Sequence, residues 1–295
     1  MMNVLESTTC IAFKNILFLT DFSKETRAAL SFALALARHY DAHIFPAHAV
    51  TPYLPTELES PVAPDILRQM EAEKKKELID LVKDSGLAYN ALTTIADIEK
   101  SVPRWIEEHG IDLIVMGTHG RRGLQRLLLG STAEAIFRTA TCPVLTVGPA
   151  VLPQTKSELN IKRILFATDL SKPSEYAAPY ALSFAQEYHA RATFLNVLPV
   201  SKRTHAELVS DSIVARNQLR DLVPRETVGK YEVEFLVSEG QPAERIVRLA
   251  EEKSIDLIVL GLPRNEPSST HFRSGVTYEV VRSATAAVLT IRSMW

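Results

Sequence analysis

The chain is poor in cysteine and has no long apolar run. Its 295 residues include two cysteines, Cys10 and Cys142, at no metal-ligand or redox spacing. That excludes a disulfide framework and fits a reducing cytosol. Neither sign of charge dominates: 33 Lys+Arg against 35 Asp+Glu leave a formal net charge of −2, which gives no reason to expect DNA, RNA or acidic membranes as partners. No apolar stretch approaches the ~20 residues of a membrane span. Met1-Met2-Asn3-Val4-Leu5-Glu6-Ser7 lacks the basic start and apolar centre of a signal peptide. A soluble, cytoplasmic protein is expected. Catalytic groupings are missing too. There is no Ser-His-Asp order with supporting motifs, and no Cys, His or carboxylate cluster of the kind that holds zinc. No catalytic and no metal-binding residue is assigned.

The chain is long enough for two domains, each with its own core, and it aligns with itself. Lys162-Arg163-Ile164-Leu165-Phe166-Ala167-Thr168-Asp169-Leu170-Ser171 repeats Lys14-Asn15-Ile16-Leu17-Phe18-Leu19-Thr20-Asp21-Phe22-Ser23 at an offset of 148. Asp112-Leu113-Ile114-Val115 returns as Asp256-Leu257-Ile258-Val259, and Val144-Leu145-Thr146 as Val288-Leu289-Thr290, both at an offset of 144. Domains are expected over residues 1–150 and 158–295, joined by a loop-like linker.

Within each copy, short β-rich runs alternate with longer helical patterns, the signature of a parallel α/β sheet. Copy one should carry strands near 15–20, 43–49, 89–95, 112–117 and 143–147, and helices near 24–39, 64–84, 98–109 and 131–140. Ser23 and Ser171 are placed to cap the first helix of their copies. The helix over 64–84 has Ile66, Met70, Leu78, Leu81 and Val82 at amphipathic spacing, with Lys74-Lys75-Lys76 expected on its solvated face. Pro103 and Pro179 fall inside helical patterns and should kink a helix or delay its start.

The chemistry concentrates after the fourth strand. Gly117-Thr118-His119-Gly120, nine further residues, then Gly130-Ser131 join a buried strand to the helix opening at Thr132. A strand, a glycine-bearing loop and a helix N-terminus form a phosphate site, because the backbone can approach an anion that free N–H groups point towards. Ser131 and Thr132 add hydroxyls. Arg121, Arg122 and Arg126 have the charge and planar fork that suit phosphate oxygens, or are simply solvated. The spacing is neither the dinucleotide fingerprint nor a Walker A loop.

With Thr20-Asp21 ending the first strand and Thr141-Cys142-Pro143-Val144-Leu145-Thr146-Val147 closing the domain, this G-x-x-G, nine residues, G-S spacing resembles the ATP-binding motif of the universal stress protein family. The resemblance implies two tandem Rossmann-like (HUP-type) domains, each a five-stranded parallel sheet of order 3-2-1-4-5, related by a pseudo-two-fold. It also implies an adenine nucleotide as ligand: ATP, with or without Mg, or ADP or AMP. Thr20, Asp21, Ala49, Gly117, Gly120, Arg121, Arg122, Gly130, Ser131 and Thr132 would be its contacts. Asp21 has a local alternative, as a helix-start residue bonding backbone N–H groups.

Copy two departs from the motif. Gly117 is kept as Gly261, but Gly120 becomes Arg264 and Gly130 becomes Ser274. The expectation is a nucleotide-binding stress-response module with one competent and one degenerate copy. A non-nucleotide-binding interaction scaffold and a slow ATPase are the alternatives. Protein partners are not specified by the sequence. The apolar, β-branched final strands are expected to pair within one chain, with a further homodimer left open.

Overall fold

The computed structural model describes residues 11–24, 26–50, 64–118, 130–153, 159–202, 204–225, 232–262 and 275–293. The chain divides into two compact units, Phe13–Leu159 and Asn160–Trp295, the second taking in the residues before Phe13.

The first unit runs β1 (Asn15–Leu19), α1 (Thr26–Tyr40), β2 (His43–Ala49), α2 (Pro64–Val82), β3 (Leu92–Thr94), α3 (Ile98–His109), β4 (Leu113–Gly117), α4 (Ser131–Thr139) and β5 (Val144–Val147). The pairings among its own strands are parallel, and they give the order β3-β2-β1-β4-β5. Ile16, Leu17, Phe18, Ile114 and Val115 are buried without alternation, as befits strands covered on both faces. Helix α1 lays Ala28, Ala29, Phe32, Ala33, Leu36 and Ala37 into the core, a helical spacing whose small residues let the helix approach the sheet closely.

The second unit repeats the plan: β6 (Arg163–Ala167), α5 (Lys172–Glu175), α6 (Ala178–Glu187), β7 (Arg191–Leu198), α7 (His205–Asp221), β8 (Val233–Glu239), α8 (Pro242–Glu252), β9 (Leu257–Leu262), α9 (Val276–Ser283) and β10 (Ala287–Arg292). Its pairings, again parallel, give β8-β7-β6-β9-β10.

The repeat extends to side-chain detail. Asp112 accepts the N–H groups of Lys14 (2.7 Å) and Asn15 (3.1 Å), and Asp256 accepts those of Lys162 (2.8 Å) and Arg163 (2.9 Å). Each aspartate ties the start of the fourth strand of its unit to the start of the first. Ser101 Oγ donates to Thr94 Oγ1 at 3.1 Å, and at the matching positions Arg245 Nε donates to Ser238 Oγ at 2.8 Å. Different residues thus fasten the third helix to the third strand in each unit.

Three sequence expectations need adjustment. Ser23 does not cap α1: its Oγ is buried without a hydrogen-bond partner, and its carbonyl accepts from Thr26 instead. Ser171 does cap, accepting the Ser174 N–H at 3.4 Å. The difference lies one residue before Ser174: Pro173 is pre-set for a first helical turn, where copy one has Glu25. Ile66 and Leu81 are exposed, so α2 is anchored by Leu78 and Val82. Of the lysine triplet, Lys75 and Lys76 are exposed as expected, and Lys74 is half-buried with 26% of its side chain exposed. Pro179 delays a helix start, standing in the first turn of α6 after the separate turn α5. Pro103 stands inside α3, and the helix runs on to His109.

Candidate functional site

The C-terminal ends of β1 and β4 lie side by side, with Leu19 opposite Met116 in the parallel register. Here the winding of the sheet reverses, the place where an open parallel sheet makes a crevice. Asp21 leaves the end of β1, and Gly117 is the last residue of β4. Ala49 ends β2, opposite Thr94.

The turn after β1 is tightly built. The Thr20 N–H donates to the Ala47 carbonyl at 3.1 Å. The Thr20 hydroxyl accepts the Phe22 N–H at 3.0 Å and bonds the Thr26 hydroxyl at 3.1 Å. The Thr20 carbonyl accepts from His48 Nδ1 at 2.7 Å. Thr20 is therefore buried and occupied in holding the turn. Asp21 Oδ1 accepts the Ser23 N–H at 3.0 Å, the local bonding considered above as an alternative for this residue. Phe22 adopts φ 62°, a left-handed conformation that costs a residue with a side chain ~1–3 kcal/mol and is found where surroundings over-determine it.

Copy two builds the same turn. Leu170 has φ 61° and donates to Thr168 Oγ1 at 2.9 Å, and Asp169 Oδ1 accepts the Ser171 N–H at 2.9 Å. Asn196 Nδ2 donates to the Thr168 carbonyl at 2.9 Å, replacing His48. In both units a side-chain N–H from the second strand satisfies the carbonyl that precedes the aspartate. His48 lies within β2, and no motif singles it out in the sequence. The usable signal was its alignment with Asn196, since both side chains carry an N–H donor.

On the β4 side, the Gly130 N–H donates to the Thr118 carbonyl at 3.1 Å. The loop therefore returns to where it leaves, and α4 begins over the strand end. Gly130 is the N-cap of α4 with φ −60° and ψ 147°, and as a glycine it brings no capping side chain of its own. First-turn N–H groups of such a helix are free of intrahelical partners and carry the positive end of its dipole. Thr132 is exposed and Glu134 is buried in this first turn. Gly120, Arg121, Arg122 and Arg126 lie outside the described residues, as does the side chain of Ser131.

Gly261 shows why one motif glycine persists in copy two. A Cβ there would lie 2.5 Å from both Cα and O of Ser174 and 2.8 Å from its C. The first turn of α5 rests directly on the end of β9, so the glycine has a packing cause independent of any ligand. Elsewhere, Cys142 is buried, and desolvation, followed by the Asp112 charge, pushes its thiol pKa up to about 12. It is not an activated nucleophile. Among the described residues, no group of three or more His, Cys, Asp or Glu is placed to hold a metal ion.

The fold is that of an open, doubly wound parallel α/β protein, present twice. Within that class, the family model of the universal stress protein family matches residues 12–148 and again 160–292. The chain belongs to the universal stress protein family, as a tandem member. It is 31% identical over 139 residues to Universal stress protein MJ0531 of Methanocaldococcus jannaschii, covering 46% of this chain and 82% of that one. It is 32% identical over 140 residues to Universal stress protein A homolog 1 of Coxiella burnetii, covering 46% and 96%. A solved universal stress protein from Archaeoglobus fulgidus DSM 4304 superposes with a TM-score of 0.69 at 19% identity, over 95% of this chain and 97% of that one; this last likeness concerns the fold. Among the described residues, no helix is long and apolar enough to cross a membrane.

Proposed function

We propose that the protein is a nucleotide-binding regulatory module of the stress response, holding one adenine nucleotide in its N-terminal domain. The observation that carries the reading is the juxtaposition of the Asp21 turn with the end of β4, where Gly130 returns to Thr118 and opens helix α4. Asp21 would accept from the base or ribose. Gly117, Gly120, Gly130, Ser131 and Thr132 would receive the phosphates, with Arg121 and Arg122 adding charge and Ala49 a backbone contact. Thr20 would act by holding the turn. ATP is the ligand proposed, with or without Mg, and ADP or AMP would fit the same donors. The second domain is proposed to be silent, because Arg264 and Ser274 replace two motif glycines and Gly261 is explained by packing. Hydrolysis would be slow, since no activated nucleophile or general base is assigned.

Saturating ATP should stabilise the fold, by ~2.7 kcal/mol at one hundred times the dissociation constant, with about one nucleotide per chain by calorimetric titration. Gly130→Val should abolish the shift and leave the protein folded. If ATP leaves the wild-type melting curve unmoved, the interaction scaffold is the better reading. Two equivalent sites per chain would overturn the silent second domain. Fast steady turnover lost in Glu134→Gln would favour an enzyme. Domain limits of 1–150 and 158–295, a cytoplasmic location and pairing of the final strands within one chain complete the proposal. Limited proteolysis tests the limits, and light scattering with cross-linking tests the assembly.

A further inference from the structure

Lys74 stands outside every motif of the proposed site, yet it touches the turn that presents Asp21. Its Nζ lies 5.1 Å from the centroid of the Phe22 ring and 2.6 Å from Glu77 Oε1 on the same helix. Phe22 also meets the His48 ring, with centroids 4.8 Å apart. The residue after Asp21 is thus held by a cation from α2 and an imidazole from β2, while its backbone keeps φ 62°. Asp21 itself lies between Thr20, bonded by His48, and Phe22, bonded by Thr20. Copy two has the same strained turn but no ring at this position, because Leu170 stands there and Asn196 replaces the histidine. The aromatic clamp belongs to the copy that retains the glycine loop.

We propose that Lys74 is a positioning residue for the nucleotide site, acting through the Phe22 ring to hold the Asp21 turn and thereby linking helix α2 to ligand binding. The inference rests on the nucleotide reading above. A cation over an aromatic face is attracted by the ring quadrupole, and Arg serves as well as Lys. Glu77 holds the ammonium in place, so a shift of α2 along its axis would be felt at Asp21. Because Asp21 is assigned to the base and ribose end, Lys74 should affect that end and leave the phosphate end alone.

The test is isothermal titration of the full chain with ATP, adenosine and tripolyphosphate, with the melting temperature of each apo variant recorded. Lys74→Met keeps the apolar stem and removes the charge. It should weaken ATP and adenosine by the same factor, about 3- to 10-fold, a factor within the range of one cation–π contact, with tripolyphosphate unchanged. Lys74→Arg should bind within about 2-fold of wild type. Phe22→Leu, which installs the residue copy two carries, should weaken ATP by a similar factor, and adding Lys74→Met should change it no further. Additive effects, or a loss confined to ATP and tripolyphosphate, would overturn the route through Phe22. Unchanged affinity in Lys74→Met, with wild type binding normally, would sink this inference alone. Wild type binding neither ATP nor adenosine would sink the nucleotide reading beneath it.

Discussion

Gly261→Ala isolates a packing demand that the sequence disguises as a ligand motif. The new Cβ would sit 2.5 Å from Ser174 Cα and O and 2.8 Å from its C, against ~3.5–4.0 Å for an unstrained carbon contact. All three atoms are backbone, so no side-chain rotation relieves the overlap. They belong to a turn held at both ends, by Pro173 at its start and by the hydrogen bond between the Thr168 and Ser174 hydroxyls. Overpacking usually costs 1–3 kcal/mol, and three simultaneous overlaps place this one near ~3 kcal/mol. For a unit of this size that lowers the melting temperature by roughly 10–15 °C, at about 3–5 °C per kcal/mol. Gly130→Ala is the control. Its Cβ would be 3.5 Å from the Thr118 carbonyl oxygen, and φ −60°, ψ 147° is open to any residue. The change should therefore stay within ~1 kcal/mol, mostly the weaker N-cap preference of alanine. Calorimetry gives the size of each loss. Hydrogen exchange read by mass spectrometry should place the Gly261→Ala loss among peptides of residues 160–293. A Gly261→Ala protein within ~0.5 kcal/mol of wild type would refute the packing argument and reopen the case for a ligand-driven glycine in copy two.

Two further outcomes follow from a half-buried carboxyl and a buried thiol. Burial raises the Asp112 pKa in the folded state, partly offset by the N–H groups of Lys14 and Asn15. A carboxyl shifted upward binds its proton more tightly when folded. Its stabilisation is complete below the unfolded pKa of ~3.9 and fades as pH rises through the folded value. Asp112→Asn keeps an acceptor and removes that titration. The stability of wild type relative to the variant, from urea unfolding, should therefore fall as pH rises from below the unfolded pKa through the raised folded one. A difference that is flat across this range would show that Asp112 does not titrate as described. Cys142, with its thiol pushed up to about 12, should not react with an aromatic disulfide at pH 8 in a folded Cys10→Ser variant, and should react at once in denaturant. Rapid labelling of the native protein would contradict its burial.

The α/β alternation, the duplication and most strand positions were legible from residue order alone. Parallel strands are buried on both faces, so they appear as continuous apolar runs such as Leu113-Ile114-Val115-Met116, and helices appear by their spacing. The helix expected over 98–109 is found at those residues, ended locally by Gly110 at φ 59° with its N–H on the Ile106 carbonyl. The Asp21 turn and the Gly130–Ser131 helix start are also short-range features. What sequence could not decide depends on contacts between distant elements. Three lysines in succession are alike in composition, and only the rotation of α2 against the sheet places Lys74 over Phe22. Ser23 and Ser171 follow identical Thr-Asp-x-Ser patterns, yet Pro173 starts a helix early enough for only Ser171 to cap it. His48 reaches a carbonyl 28 residues away. Gly261 lies beneath a turn 87 residues earlier in the chain, and glycine is needed there because a Cβ would lie 2.5 Å from the Ser174 backbone. Residue order set the local conformations and the faces to be buried, whereas close approach between chain segments is a property of packed three-dimensional structure.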